Sequence, residues 1–85
     1  MRTASKFTTY ILESDSTKRL YIGQTNDIER RITQHQNQRV KSTKNRGPWK
    51  LLYAISFETR LEAVQLEQKL KKMKNPGRVR SYISK

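Results

Sequence analysis

Cysteine is absent from the 85 residues, and histidine occurs once, at His35. Without thiols there is neither a disulfide nor a thiolate zinc site to support a core, and one histidine rules out a multi-histidine metal cage. A metal ion would have to sit on oxygen ligands, which points to Mg2+ or Mn2+. Long apolar runs are missing as well. No stretch approaches the roughly 18 residues of a membrane-spanning helix, and the N-terminus carries no apolar run suited to a signal peptide. The expectation is a cytoplasmic protein with no membrane association. Acidic residues are few: seven against nineteen Lys and Arg, a net charge of +12. A field of that sign draws polyanions, and nucleic acid is the usual one. A chain this short buries only about 60–65% of the surface its unfolded form exposes, so one domain with a thin core is expected over 1–85.

What is present reads as an α+β protein, a small three-stranded antiparallel sheet flanked by helices in the order ββαβα plus a short C-terminal helix. Residues 1–6 are a loose lead-in, 7–74 the core and 75–85 a basic tail. Residues 7–13 (FTTYILE) are rich in β-branched and aromatic types and predict a strand. The polar turn SDSTK leads to a second strand at 19–23, so the pair forms a hairpin. Asn26 stands as an N-cap with Glu29 three residues on, and Ile28, Ile32 and His35 recur at helical spacing to about Gln36. A basic loop over 37–48 ends at Gly47-Pro48. Residues 49–57 (WKLLYAISF) are apolar enough to predict a strand in the middle of the sheet. Thr59 and Glu62 form a second capping box, and Ala63, Leu66, Leu70 and Met73 give the following helix its apolar stripe. Asn75-Pro76-Gly77 stops it, and 78–84 suits a last short helix.

Five polar positions then carry a resemblance. Tyr21-Ile22-Gly23 reads as the YIG of the GIY-YIG nuclease superfamily, and Thr8-Thr9-Tyr10 stands where that family has its GIY element, with the tyrosine retained. QTNDIERRITQH resembles the family's first helix: Arg31 falls eight residues after the glycine and His35 four further on. LEAVQLEQKLKK is similar to the helix that carries the family's metal-binding glutamate, and Glu67 falls on that position. The likeness covers about residues 7–74. It extends to the N-terminal nuclease domain of an excision-repair protein, hence to DNA repair, and to small stand-alone UPF0213-type proteins. It implies a GIY-YIG endonuclease, a hydrolase of phosphodiester bonds. Tyr10, Tyr21, Arg31, His35 and Glu67 are its catalytic set, Gly23 its backbone position and Glu67 its ligand for Mg2+ or Mn2+. Two departures stand out. Thr8 and Thr9 replace glycine and isoleucine, and Val79 stands where many members have an asparagine.

Cutting a phosphodiester needs an activated water, charge compensation at the phosphate and help for the leaving oxygen. Glu67 can hold one divalent cation, or simply pair with Lys71 four residues on. Arg31 can clamp a phosphate with two prongs, or lie solvated beside Arg30. It shares a helix face with His35 that also holds Ile28 and Ile32, so that face is expected against the sheet. His35 either moves a proton or only hydrogen-bonds a phosphate or a tyrosine. Tyr10 and Tyr21 can point to one face of the hairpin. Either could be the base, and either could be a packing residue. Gly23 is expected to end its strand and let the backbone approach a phosphate.

The remaining bases suggest a nucleic-acid footprint. Arg39, Lys41, Lys44, Arg46 and Lys50 lie in or beside the central loop, and Lys71, Lys72 and Lys74 follow Glu67. Such a footprint binds phosphates without reading sequence and weakens as salt rises. Trp49 suits a core lid better than a base reader. The expected function is metal-dependent cleavage of nucleic acid, DNA in preference to RNA. The competing expectation is a catalytically weak or inactive nucleic-acid-binding module with the same fold, and a third is an accessory protein docking to RNA. A monomer or weak dimer is expected, with a protein partner supplying specificity.

Overall fold

The computed structural model describes residues 6–37 and 47–84. Three strands, β1 (Phe7–Ser14), β2 (Leu20–Thr25) and β3 (Trp49–Phe57), form one antiparallel sheet in the order β2-β1-β3. Three helices accompany it: α1 (Ile28–Gln36), α2 (Arg60–Met73) and α3 (Pro76–Ile83). The expected α+β architecture is thus present, with one exchange of places. β3 is an edge strand despite its apolar run, with Leu51 and Ile55 exposed. The middle belongs to β1, which is buried from Thr8 to Ser14 although four of those seven residues are polar.

Alternation along β1 divides the core in two. Tyr10 and Leu12 face one way, where Trp49 and Tyr21 join Ile28 and Ile32 of α1. Ile11 faces the other way, against Leu70 of α2 and Val79 of α3. The sheet is therefore covered by α1 on one face and by α2 and α3 on the other. The polar side chains of β1 are buried because each finds a partner. Thr8 Oγ1 meets Ser56 Oγ at 3.0 Å, and Thr9 Oγ1 donates to the Ala63 carbonyl at 2.7 Å. Glu13 is gripped by Arg80 of α3 and by Lys50 at 3.5 Å. The Arg80 hydrogen bond, with the Lys50 contact behind it, holds the Glu13 carboxyl below the usual carboxylate range, against the opposing effect of burial.

Each helix has a start that its sequence explains. Asp27, not Asn26, caps α1 by accepting from Arg30 N at 3.1 Å; Thr25 Oγ1 in turn accepts from Asp27 N, which fixes the register one residue later than the Asn26–Glu29 box requires. Thr59 caps α2 as expected, accepting from Glu62 N and donating its own proton to the Glu62 carboxylate. Asn75 separates α2 from α3 and caps the latter, accepting from Gly77 N at 2.8 Å and Arg78 N at 3.2 Å, with Pro76 opening the helix. The basic tail is thereby folded back, and Val79 enters the core.

Candidate nuclease site

Tyr10 and Tyr21 reach the same face because Tyr10 lies opposite Gly23, and Tyr21 is two residues before that glycine. Side chains two apart on a strand share a face, so the two rings become diagonal neighbours, 6.2 Å apart. Gly23 does not end β2; it sits buried inside it. A β-carbon there would lie 2.7 Å from Tyr10 Oη and 2.9 Å from Cζ. The close approach that requires glycine is therefore that of the Tyr10 phenol, which lies across the strand.

α1 supplies the other half. Ile28 and Ile32 pack on the sheet, and the same face brings Arg31 and His35 inward. His35 is 1% exposed, its ring edge-on to Tyr21 at 4.7 Å, with Nε2 3.2 Å from Tyr10 Oη. Arg31 Nε donates to Tyr10 Oη at 3.4 Å, and Nη1 donates to Gln34 Oε1 at 3.0 Å. Arginine can only donate, so the Tyr10 oxygen accepts from it, while the direction of the Tyr10–His35 bond follows which ring nitrogen carries the imidazole proton. Burial, with the charge of Arg31 in second place, holds the His35 pKa down to about 4. Burial also raises the Tyr10 phenol above 10.0, opposed by the Arg31 hydrogen bond. Arg31 in turn is held more firmly protonated, chiefly through Tyr10 and against burial. Among the described residues no carboxylate pairs with Arg31.

Glu67 arrives from the helix on the opposite face. Its side chain is 17% exposed, and Oε2 accepts from Lys71 Nζ at 2.9 Å. Tyr21 and Lys71 line a groove beside β2 with Leu70, Lys74 and Val79, a groove that Tyr10, Arg31, His35 and Glu67 do not line. The Glu67 charge is close enough to be among the influences raising Tyr10. Among the described residues no three His, Cys, Asp or Glu side chains cluster as a metal cage. Glu67 is the one carboxylate among the candidate residues, and it is ion-paired with Lys71.

The basic positions divide. Lys50 is committed to Glu13 and Asp15, and Lys71 to Glu67, so their charges are partly compensated. Lys72 and Lys74 are exposed near the end of α2. Arg39, Lys41, Lys44 and Arg46 lie outside the described residues. Val79 packs against Ile11 and Leu70, so position 79 serves the core. Trp49 is buried beside Tyr10 and Leu12, as expected of a lid. Thr9 and Arg60 have roles that the sequence did not disclose. Thr9 pins α2 to β1. Arg60 Nη1 donates to Gln24 Oε1 at 3.2 Å and its guanidinium lies 4.8 Å over the Phe7 ring. The partners are too far apart in sequence for any local pattern to reveal them.

The tyrosine pair on the hairpin, with the arginine and histidine from the next helix, lies within a nuclease-type domain. The profile of the GIY-YIG catalytic domain matches residues 6–82, and the chain belongs to that family. It is similar to UPF0213 proteins of Bacillus velezensis (39% identical over 74 residues, 86% of this chain and 73% of the relative) and Clostridium perfringens (39% over 77 residues, 89% and 82%). The solution structure of a UPF0213 protein from Bacillus halodurans superimposes with a TM-score of 0.60 at 30% identity, covering 93% of this chain and 83% of that one. No helix among the described residues is long and apolar enough to cross a membrane.

Proposed function

We propose that the protein is a divalent-cation-dependent endonuclease that hydrolyses phosphodiester bonds of nucleic acid, DNA in preference to RNA. The observation that carries this reading is the linked cluster Arg31–Tyr10–His35 beside Tyr21, in which a permanently charged guanidinium is fixed by neutral partners. A cation so held favours an anion that develops charge, as a phosphate does during attack. Tyr10 is sealed inside the core with its phenol pushed up, which suits it to positioning Arg31 and His35. Tyr21, half-buried with its ring beside Tyr10 and His35, is the more exposed of the two and so the tyrosine placed to meet the attacking water. His35, neutral near pH 7, hydrogen-bonds the Tyr10 hydroxyl.

Glu67 would hold the cation. One hard carboxylate oxygen, completed by waters and a phosphate oxygen, is a normal magnesium shell, so the donor set fits Mg2+ or Mn2+ without a protein cage. When bound, the cation would supply charge compensation at the phosphate and favour a deprotonated water. The Glu67–Lys71 ion pair favours the second reading, a binding module that cuts weakly, because a ligand engaged by lysine must be released first.

Arg31→Ala is expected to lower the single-turnover cleavage rate about 100-fold or more, as removal of a transition-state charge partner does, while retaining most nucleic-acid binding. An unchanged rate would leave Arg31 a structural partner of Tyr10 only and remove the basis of the proposal.

A further inference from the structure

A second cluster of cations lies just outside the tyrosine–histidine contact. Arg30 and Arg31 of α1 and Arg60 at the start of α2 line one cavity of about 300 Å³, together with Gln24, Gln34 and Asp27. Three arginines on one small cavity repel each other, and among the described residues none of them has a carboxylate partner. Their fixed contacts are to neutral groups. Arg31 is held by Tyr10 and Gln34, and Arg60 by Gln24 and the face of Phe7. Such contacts set direction without cancelling charge. Asp27, the one acid of the lining, accepts from Arg30 N and keeps its charge, so three arginines against one carboxylate leave the lining net positive.

We propose that this cavity is a subsite for a phosphate group of the nucleic acid, next to the position of the bond that is cut, with Arg60 as its specificity-determining residue. Its position beside the bond that is cut rests on the nuclease reading, through Arg31, which lines this cavity and contacts Tyr10; the binding of phosphate does not depend on cleavage. Guanidinium forks match phosphate oxygens two at a time, and the two glutamine side chains carry amide donors to complete the ring. The cavity admits a phosphate and its sugar, and no aromatic ring lines it for a base to stack on. It therefore selects for backbone or for a chain end, not for sequence. An internal phosphodiester and a terminal phosphate share this chemistry.

The test titrates the metal-free protein with inorganic phosphate and follows it by NMR. The proposal predicts shifts at the side-chain amides of Gln24 and Gln34. In Arg60→Gln, affinity falls about tenfold, the loss of one charge-assisted pair. Arg60→Lys recovers part of it, and Arg78→Gln, an equal charge loss on exposed α3, leaves it unchanged. Repeating the titration with thymidine 5′-monophosphate and with the dinucleotide TpT then tells a terminal phosphate from an internal one. No movement at either glutamine with any of the three probes, or equal affinity in Arg60→Gln, overturns the subsite. Because no cleavage is measured, that failure is distinct from failure of the nuclease reading, which the Arg31→Ala rate decides.

Discussion

Tyr10 has one hydroxyl and two neighbours that use it, and this small fact arranges the site. Arg31 donates to the oxygen, and His35 Nε2 shares a hydrogen bond with the same hydroxyl. The phenol reaches both because residue 23 has no side chain. Gly23→Ala would force the ring end away, at a cost of about 1–3 kcal/mol for an overpacked core site. Because the displaced atom is the Tyr10 hydroxyl, the variant is expected to lose cleavage even where it remains folded, a result that chemical denaturation and a rate measurement together would show. Native-like cleavage in a folded Gly23→Ala protein would separate Tyr10 from the chemistry.

His35 gives a prediction in pH. The unfolded chain takes up this proton near 6.5 and the folded protein near 4, so between those values the unfolded state binds more protons. Stability must then fall as pH drops through that window, by an amount on the order of 3 kcal/mol for a group so fully buried. Glu13, whose folded pKa is depressed, contributes stability that is lost only below its unfolded value of 4.5. Urea midpoints at pH 7 and pH 5 therefore isolate the histidine. The loss between them is expected in the parent and absent in His35→Gln. Equal losses in both proteins would mean that His35 is protonated inside the fold.

At the scale of elements, α2 matters through where it is pinned. Thr9 Oγ1 donates to the Ala63 carbonyl, the same carbonyl that Glu67 N–H meets one turn later in a regular helix. The threonine thus fixes the turn that presents Glu67. Thr9→Val keeps the shape and removes the hydroxyl; since the carbonyl retains its helical bond, the expected cost is about 1 kcal/mol. Cleavage should fall more than that loss of stability explains, with binding unchanged; a rate equal to the parent's would leave Thr9 a packing residue only. The same contact shows what the sequence could and could not disclose. The helices were legible from their caps and stripes, as at Thr59 and at Ala63, Leu66, Leu70 and Met73. The strand order was not. β3 looked central because WKLLYAISF is apolar, yet the middle place belongs to β1, whose buried Thr8, Thr9, Glu13 and Ser14 are polar. Burial of β1 depends on Ser56, Ala63 and Arg80, and such distant partners leave no periodic trace. The proposed site divides in the same way. Arg31 and His35 shared a legible helix face, whereas Arg60 depends on Phe7 and Gln24, which only the fold brings to it.

Over the whole molecule, two layers of helix enclose the sheet, and the proposed site draws tyrosines from the hairpin, arginine and histidine from α1, and a carboxylate from α2. The net charge of +12 attracts a polyanion at long range, and in the proposed function the cluster is where one phosphate reacts. Attraction alone would make a binding protein; the claim that it is more rests on Glu67 and a divalent cation. The decisive measurement incubates the protein at low salt with branched, nicked, single- and double-stranded DNA and with RNA, comparing Mg2+ or Mn2+ with chelator and running Glu67→Ala alongside. The account predicts cleavage of at least one DNA form that requires both the cation and Glu67, while Glu67→Ala still binds that DNA. Cleavage that persists in Glu67→Ala, or tight binding with no cutting in any lane, would contradict it.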